Sequence, residues 1–126
     1  MNFKCNTCII GIGSNIAAEV NIKKMLEILG GKVNIVKISS LVQTNPIGKT
    51  DQPDYINGAV KITTTLSIIE LKSVLVSIED QLGRNRHSSK FDSRTMDLDI
   101  VVWNGIIVDD DYYTREFLKK SIQEIN

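Results

Sequence analysis

Asp97-Leu98-Asp99-Ile100-Val101-Val102-Trp103 is apolar and β-branched over most of its length, the composition of a buried strand. Two carboxylates nonetheless sit two residues apart at its start. Side chains two apart on a strand share a face, so Asp97 and Asp99 point the same way. Leu98, Ile100 and Val102 are then expected together on the other face, in a core. Two like charges side by side repel, and one is pushed towards protonation unless a cation lies between them. Magnesium suits an all-oxygen pair and leaves positions for water and phosphate oxygens. Just upstream lies Arg84-Asn85-Arg86-His87-Ser88-Ser89-Lys90-Phe91-Asp92-Ser93-Arg94, a polar loop with four fixed cations. Metal-holding carboxylates beside such a loop are the parts needed to grip a nucleoside triphosphate. Read alone, the same residues also fit a solvated Asp-x-Asp at a sheet edge.

On either side of this strand the elements follow a regular order. The first strand is expected over 7–13. Gly11-Ile12-Gly13-Ser14-Asn15 reads as a tight turn out of it, because the third glycine of a dinucleotide fingerprint would fall on Ile16. Ile22, Met25, Leu26 and Leu29 recur at helical spacing, and Gly30-Gly31 ends that helix. A strand is expected over 33–42, with a bulge where its alternation slips at Ile35-Val36. The loop that follows holds both prolines, Pro46 and Pro53, and is longer than a hairpin needs. A strand over 57–65 comes next. Ser67-Ile68-Ile69-Glu70 is a capping box, opening a helix with Ile68, Leu71, Leu75, Ile78 and Leu82 on one stripe. Gly83 stops it. After the 97–103 strand, Asn104-Gly105 signals a type I′ hairpin into a short strand at 106–108. Asp109-Asp110-Asp111 reads as a solvated turn, and 113–126 as a final helix. The order β-α-β-β-α-β predicts an α+β, ferredoxin-like sandwich: a mainly antiparallel sheet, both main helices on one face, and a small C-terminal hairpin and helix.

The totals narrow the function classes. At 126 residues, one domain over 1–126 is expected. Lys plus Arg equal Asp plus Glu at 15 each, so no overall field favours nucleic acid or a membrane surface. A polyanion must therefore be held by local clusters. No apolar run reaches spanning length. The opening residues show no signal-peptide core, so a cytoplasmic protein is expected. Cys5 and Cys8 form a lone Cys-x-x-Cys with one His in the whole chain, too few ligands for zinc, and read as free thiols.

Three motifs resemble those of the 6-hydroxymethyl-7,8-dihydropterin pyrophosphokinase family. They are Thr44-Asn45-Pro46-Ile47-Gly48 with Asp51-Gln52-Pro53-Asp54-Tyr55-Ile56-Asn57; Ile78-Glu79 with Leu82-Gly83-Arg84-Asn85-Arg86; and Arg94-Thr95-Met96-Asp97-Leu98-Asp99-Ile100. Gly13-Ser14-Asn15 also fits. The resemblance implies pyrophosphoryl transfer from ATP to the pterin hydroxymethyl group in folate biosynthesis, with AMP released. It implies that Asp97 and Asp99 bind two magnesium ions and that Arg84, Arg94 and Asp97 are catalytic. Nucleotide contacts would come from Arg84, Arg86, Phe91, Arg94, Ile100 and Arg115. The pterin would meet Tyr55 on one face and Phe117 on the other, Asn57 at its edge, and Thr44 and Asn45 through backbone groups. The partners expected are these small molecules, with no nucleic acid or membrane, and a monomer or weak homodimer.

The chain departs from the family in places. Asp92-Ser93 stands where Gly-Pro usually precedes the signature arginine. No His precedes Arg115-Glu116-Phe117, and the tail reads as shorter than the family's. These departures keep a second reading alive, a pterin- or nucleotide-binding module without turnover. A nucleic-acid reader is a weaker third, since aromatics are only 6% and none pair on a candidate central strand. Other readings stay open for single residues. Tyr55 suits a half-buried strand as well as a ring platform, and Phe117 suits a core. Arg84 and Arg86 also complement a helix dipole.

Overall fold

The computed structural model describes residues 4–48, 51–87 and 93–126. The chain runs β1 (Asn6–Ser14), α1 (Ala18–Gly30), β2 (Asn34–Ile38), β3 (Val42–Thr44), β4 (Tyr55–Thr64), α2 (Ile68–Gln81), β5 (Asp97–Trp103), β6 (Ile106–Ile107), α3 (Asp111–Thr114) and α4 (Glu116–Ile125). The strands form one antiparallel sheet in the order β2-β4-β1-β5-β6, with β3 also paired to β4. Counting β2 and β3 as one interrupted strand gives the expected α+β sandwich.

Hydrophobic spacing decides which face each helix covers. Ile22, Met25 and Leu29 of α1 and Leu71, Leu75 and Ile78 of α2 pack with Cys8, Ile10, Ile12, Val60 and Ile62 on one sheet face. Ser67 caps α2 as expected: its oxygen accepts from the Glu70 amide, and the Glu70 carboxylate accepts from the Ser67 amide. Helix α4 covers part of the opposite face. There Leu118, Ile122 and Ile125 meet Ile9, Ala59, Val101 and Val102. No helix among the described residues is long and apolar enough to cross a membrane.

Four local expectations are corrected. The strand expected over 33–42 breaks at Ser39. The buried Ser39 hydroxyl accepts from the Ala59 amide at 2.8 Å and donates to the Ser40 carbonyl, a side chain taking a ladder position. The expected slip at Ile35-Val36 is present as a register shift between Ile35 and Lys37. Gly11-Ile12-Gly13 is no turn: β1 runs straight through to Ser14. Val102 does not join Leu98 and Ile100. A bulge sets Ile9 opposite Val102 and Ile10 opposite Ile100, so Val101 and Val102 both face α4. The final helix divides at Arg115, whose backbone is extended. The hairpin is as expected, with positive φ at both Asn104 and Gly105.

These burials set a contrast in stability. Ile122 is 2% exposed and Ile69 is 77% exposed. Ile122→Ala is expected to cost about 2–5 kcal/mol in urea unfolding, and Ile69→Ala less than about 0.5 kcal/mol.

Candidate active site

The central strand supplies the floor of the site by having no side chains there. Gly13 lies between Asn57 of β4 and Asp97 of β5, and Gly11 between Ala59 and Asp99. These rows share the sheet face away from α1 and α2. A methyl group on Gly13 would come within 2.7 Å of the Asn57 Oδ1, and one on Gly11 within 3.1 Å of Leu118. The two glycines therefore keep open a cleft of roughly 290 Å3. Thr44, Asn45, Ile47, Tyr55 and Asn57 line one side of it. Arg84, Arg94, Asp97 and Asp99 line another, and Asp109, Asp111, Arg115 and Phe117 close the third.

On the first side, β3 pairs Thr44 with Tyr55 across the ladder. The Asn57 amide nitrogen donates to the Thr44 hydroxyl, which orients its carboxamide. Burial raises the pKa of the Tyr55 hydroxyl, and Asp97 raises it further. Arg94, Arg84 and Arg115 oppose that rise, so charges from three segments converge on one ring.

The cationic side depends on Glu79, a residue to which the sequence assigned no role. Its carboxylate is buried at the end of α2. It accepts from Arg84 at 2.9 Å, from Arg86 at 3.0 Å and from the Leu98 amide at 2.8 Å. The same Arg84 nitrogen lies 3.3 Å from the Met96 carbonyl and 3.4 Å from Asp97. An arginine held on several acceptors has few rotamers left, so its charge stands ready at the cleft. Asn15 holds the backbone of Arg94 instead. Its backbone N–H donates to the Arg94 carbonyl at 3.0 Å and its Oδ1 accepts from the Arg94 amide at 2.8 Å. Ser14 donates to the Thr95 carbonyl at 2.7 Å. Ser14 and Asn15 thus tie the end of β1 to the backbone around Arg94.

The carboxylates form a strongly negative pair. Asp99 keeps open surface, but it lines the concave cleft, whose walls hold back part of its solvent. Its pKa is pushed up to about 7, first by that desolvation and then by Asp97, Asp109, Glu79 and Asp111. Such a pair is relieved by a cation, and its all-oxygen donors fit a hard divalent ion. Among the described residues no group of three or more Asp, Glu, His or Cys side chains could hold a metal. Two carboxylates would thus leave most positions to water and substrate oxygens.

Most residues expected in the site meet at this cleft. Phe117 both lines it and packs against the second core. Two of the expected residues stand elsewhere. Arg86 is drawn back onto α2 by Glu79, Asp80 and the Val76 carbonyl. The Ile100 side chain packs against the helix-face core. Phe91 lies outside the described residues. Asp109 and Asp111, read as a solvated turn, line the cleft instead. The Asp109 carboxylate accepts from the Asp111 amide at 2.9 Å, and Asp111 lies 3.6 Å from Arg115. Their place follows from the hairpin, which turns the chain back over the sheet.

Two outcomes follow from these charges. Glu79→Ala takes a buried carboxylate from Arg84, Arg86 and the Leu98 amide, leaving the arginines the carboxylates of Asp97 and Asp80, and is expected to cost about 3 kcal/mol in urea unfolding. Asp99 in the folded chain holds its proton to about pH 7, whereas an ordinary Asp releases it near 3.8. Between those values the folded state binds more protons, so this group lowers stability as pH rises. In the absence of divalent cations, Asp99→Asn should raise the Tm more at about pH 8 than at about pH 5. An equal gain at both would show an unshifted carboxyl.

A profile of the 7,8-dihydro-6-hydroxymethylpterin-pyrophosphokinase family matches residues 9–126. The chain is 37% identical over 102 residues to a Bacillus subtilis 2-amino-4-hydroxy-6-hydroxymethyldihydropteridine pyrophosphokinase, covering 79% of this chain and 60% of that protein. It is 33% identical to the Haemophilus influenzae protein of the same name, covering 94% of this chain and 81% of the relative. An Arabidopsis thaliana folate synthesis bifunctional protein is 33% identical over 75% of this chain but only 20% of its own length. The motifs, the sheet and these similarities agree, and the chain belongs to the 7,8-dihydro-6-hydroxymethylpterin-pyrophosphokinase family.

Proposed function

We propose that this chain, acting as one domain over 1–126, transfers a pyrophosphoryl group from ATP to the hydroxymethyl group of 6-hydroxymethyl-7,8-dihydropterin. The row Asn57–Gly13–Asp97 carries this reading. It sets a ring-edge amide and a metal-type carboxylate on one floor, with bare backbone between them. Tyr55 and Phe117 both line the cleft and would offer aromatic faces to a flat heterocycle. Asn57 both donates and accepts, as the pterin amide edge requires. Thr44 and Asn45 offer backbone groups beside it.

The pterin hydroxyl oxygen attacks the β-phosphorus of ATP. The bond from that phosphorus to the bridging oxygen of the α-phosphate breaks, and AMP leaves. Arg84, its guanidinium held by Glu79, and Arg94, its backbone held by Asn15, neutralise charge on the moving group. Asp97 stands on the floor to take the hydroxyl proton. Arg115 supplies a further cation on the nucleotide side. Asp97 and Asp99 would hold two magnesium ions, which would supply positive charge beside the phosphates and make the attacking hydroxyl more acidic.

One observation favours a second reading, a pterin-binding module without turnover. Asp109 and Asp111 put two more carboxylates on the wall that a triphosphate would face. AMP formation from ATP and magnesium, with and without the pterin, separates the two. Pterin-dependent AMP is expected, and Arg94→Ala should lower kcat on the order of 10²–10³-fold. Asp97→Ala should abolish turnover while pterin still binds. Saturable pterin binding with no AMP would sink the enzyme reading.

A further inference from the structure

Ser93 closes a ring of hydrogen bonds that joins the two substrate sides. Its hydroxyl donates to the Gln52 Oε1 at 2.8 Å. The buried Asn15 amide nitrogen donates to the same oxygen at 2.9 Å and to the Pro53 carbonyl at 2.9 Å, and lies 3.5 Å from the Ser93 hydroxyl. Gln52 and Pro53 lie just before β4, whose Tyr55 and Asn57 line the ring side of the cleft. Ser93 directly precedes Arg94, whose backbone is pinned to the same Asn15. A proline at 93 would have no donor to offer. The serine hydroxyl is therefore a direct tie between the ring-side loop and the phosphate-side arginine.

We infer that Ser93 is a positioning residue that couples the two substrates, so that occupying one side of the cleft raises affinity on the other. Ordering the Gln52 segment around a ring also orders the Arg94 backbone, because both hang on one buried amide and one hydroxyl. The second ligand then meets a site already arranged. Coupling of this kind is reciprocal. One neutral hydrogen bond corresponds to roughly a 2- to 10-fold change in an equilibrium.

The inference rests on the proposed function, and calorimetric titration of the full chain tests the two separately. The probes are 6-hydroxymethyl-7,8-dihydropterin and α,β-methylene-ATP with magnesium. The quantity read is the ratio of the pterin Kd without the nucleotide to that with it. A ratio above one is expected for the unaltered chain. Ser93→Ala should cut it roughly 2- to 10-fold, and Ser93→Thr, which keeps the hydroxyl, should restore it. A merely structural hydroxyl would weaken both ligands alike and leave the ratio unchanged. An unchanged ratio in Ser93→Ala, or a ratio of one in the unaltered chain, overturns the inference while the proposed function stands. Failure of the unaltered chain to bind either probe overturns both.

Discussion

A buried carboxylate with cationic partners is the constraint on which the phosphate side of this molecule depends. Glu79 has almost no access to water, and burying it alone would be costly. Two guanidiniums and a backbone amide offset that cost. The amide belongs to Leu98, which lies between the two cleft aspartates. One carboxylate therefore fixes the end of α2, the path of the chain after it and the height of the metal-type pair. Replacing the whole cluster with well-packed apolar groups is expected to preserve stability. It would leave no cation at the cleft, so function is the better account of why the charges are there.

The sheet divides labour by face. One face is packed by α1 and α2. On the other, β1 contributes glycines, β4 contributes Tyr55 and Asn57, and β5 contributes Asp97 and Asp99. The bulge in β5 then lets the same strand offer two consecutive valines to α4. Since α4 begins at the residues that follow Arg115, its packing on β5 sets where Arg115 and Phe117 meet the cleft. The acidic end and the apolar end of β5 are parts of one device.

Much of this was legible in the sequence, because it follows from local rules. The capping box at Ser67, the Asn104-Gly105 hairpin, the α2 stripe from Leu71 to Ile78 (Ile68, expected in it, is exposed) and the shared face of Asp97 and Asp99 each rest on a few neighbouring residues. The parts that were not legible depend on partners far along the chain. Gly11 and Gly13 look like a turn until Asn57 and Leu118 are seen above them. Ser39 breaks its strand by bonding to Ala59, twenty residues on. Glu79 lies on a helix where a charged residue usually faces solvent, and only the Arg84 turn and β5 show that it is buried. Asp109 and Asp111 keep access to water as a solvated turn would, but nothing local shows that the turn returns them to the cleft.

The two layers on the sheet are unequal. Among the described residues the helix-face core contains fourteen buried members and the α4 core seven. Local opening draws on the thinner layer, since fewer contacts must be given up. Lifting α4 removes Phe117 and Arg115 from the cleft while the sheet, α1 and α2 stay folded. Heat should therefore silence the site before it melts the protein. A thermal half-life of binding or turnover would then report on this one helix rather than on the fold.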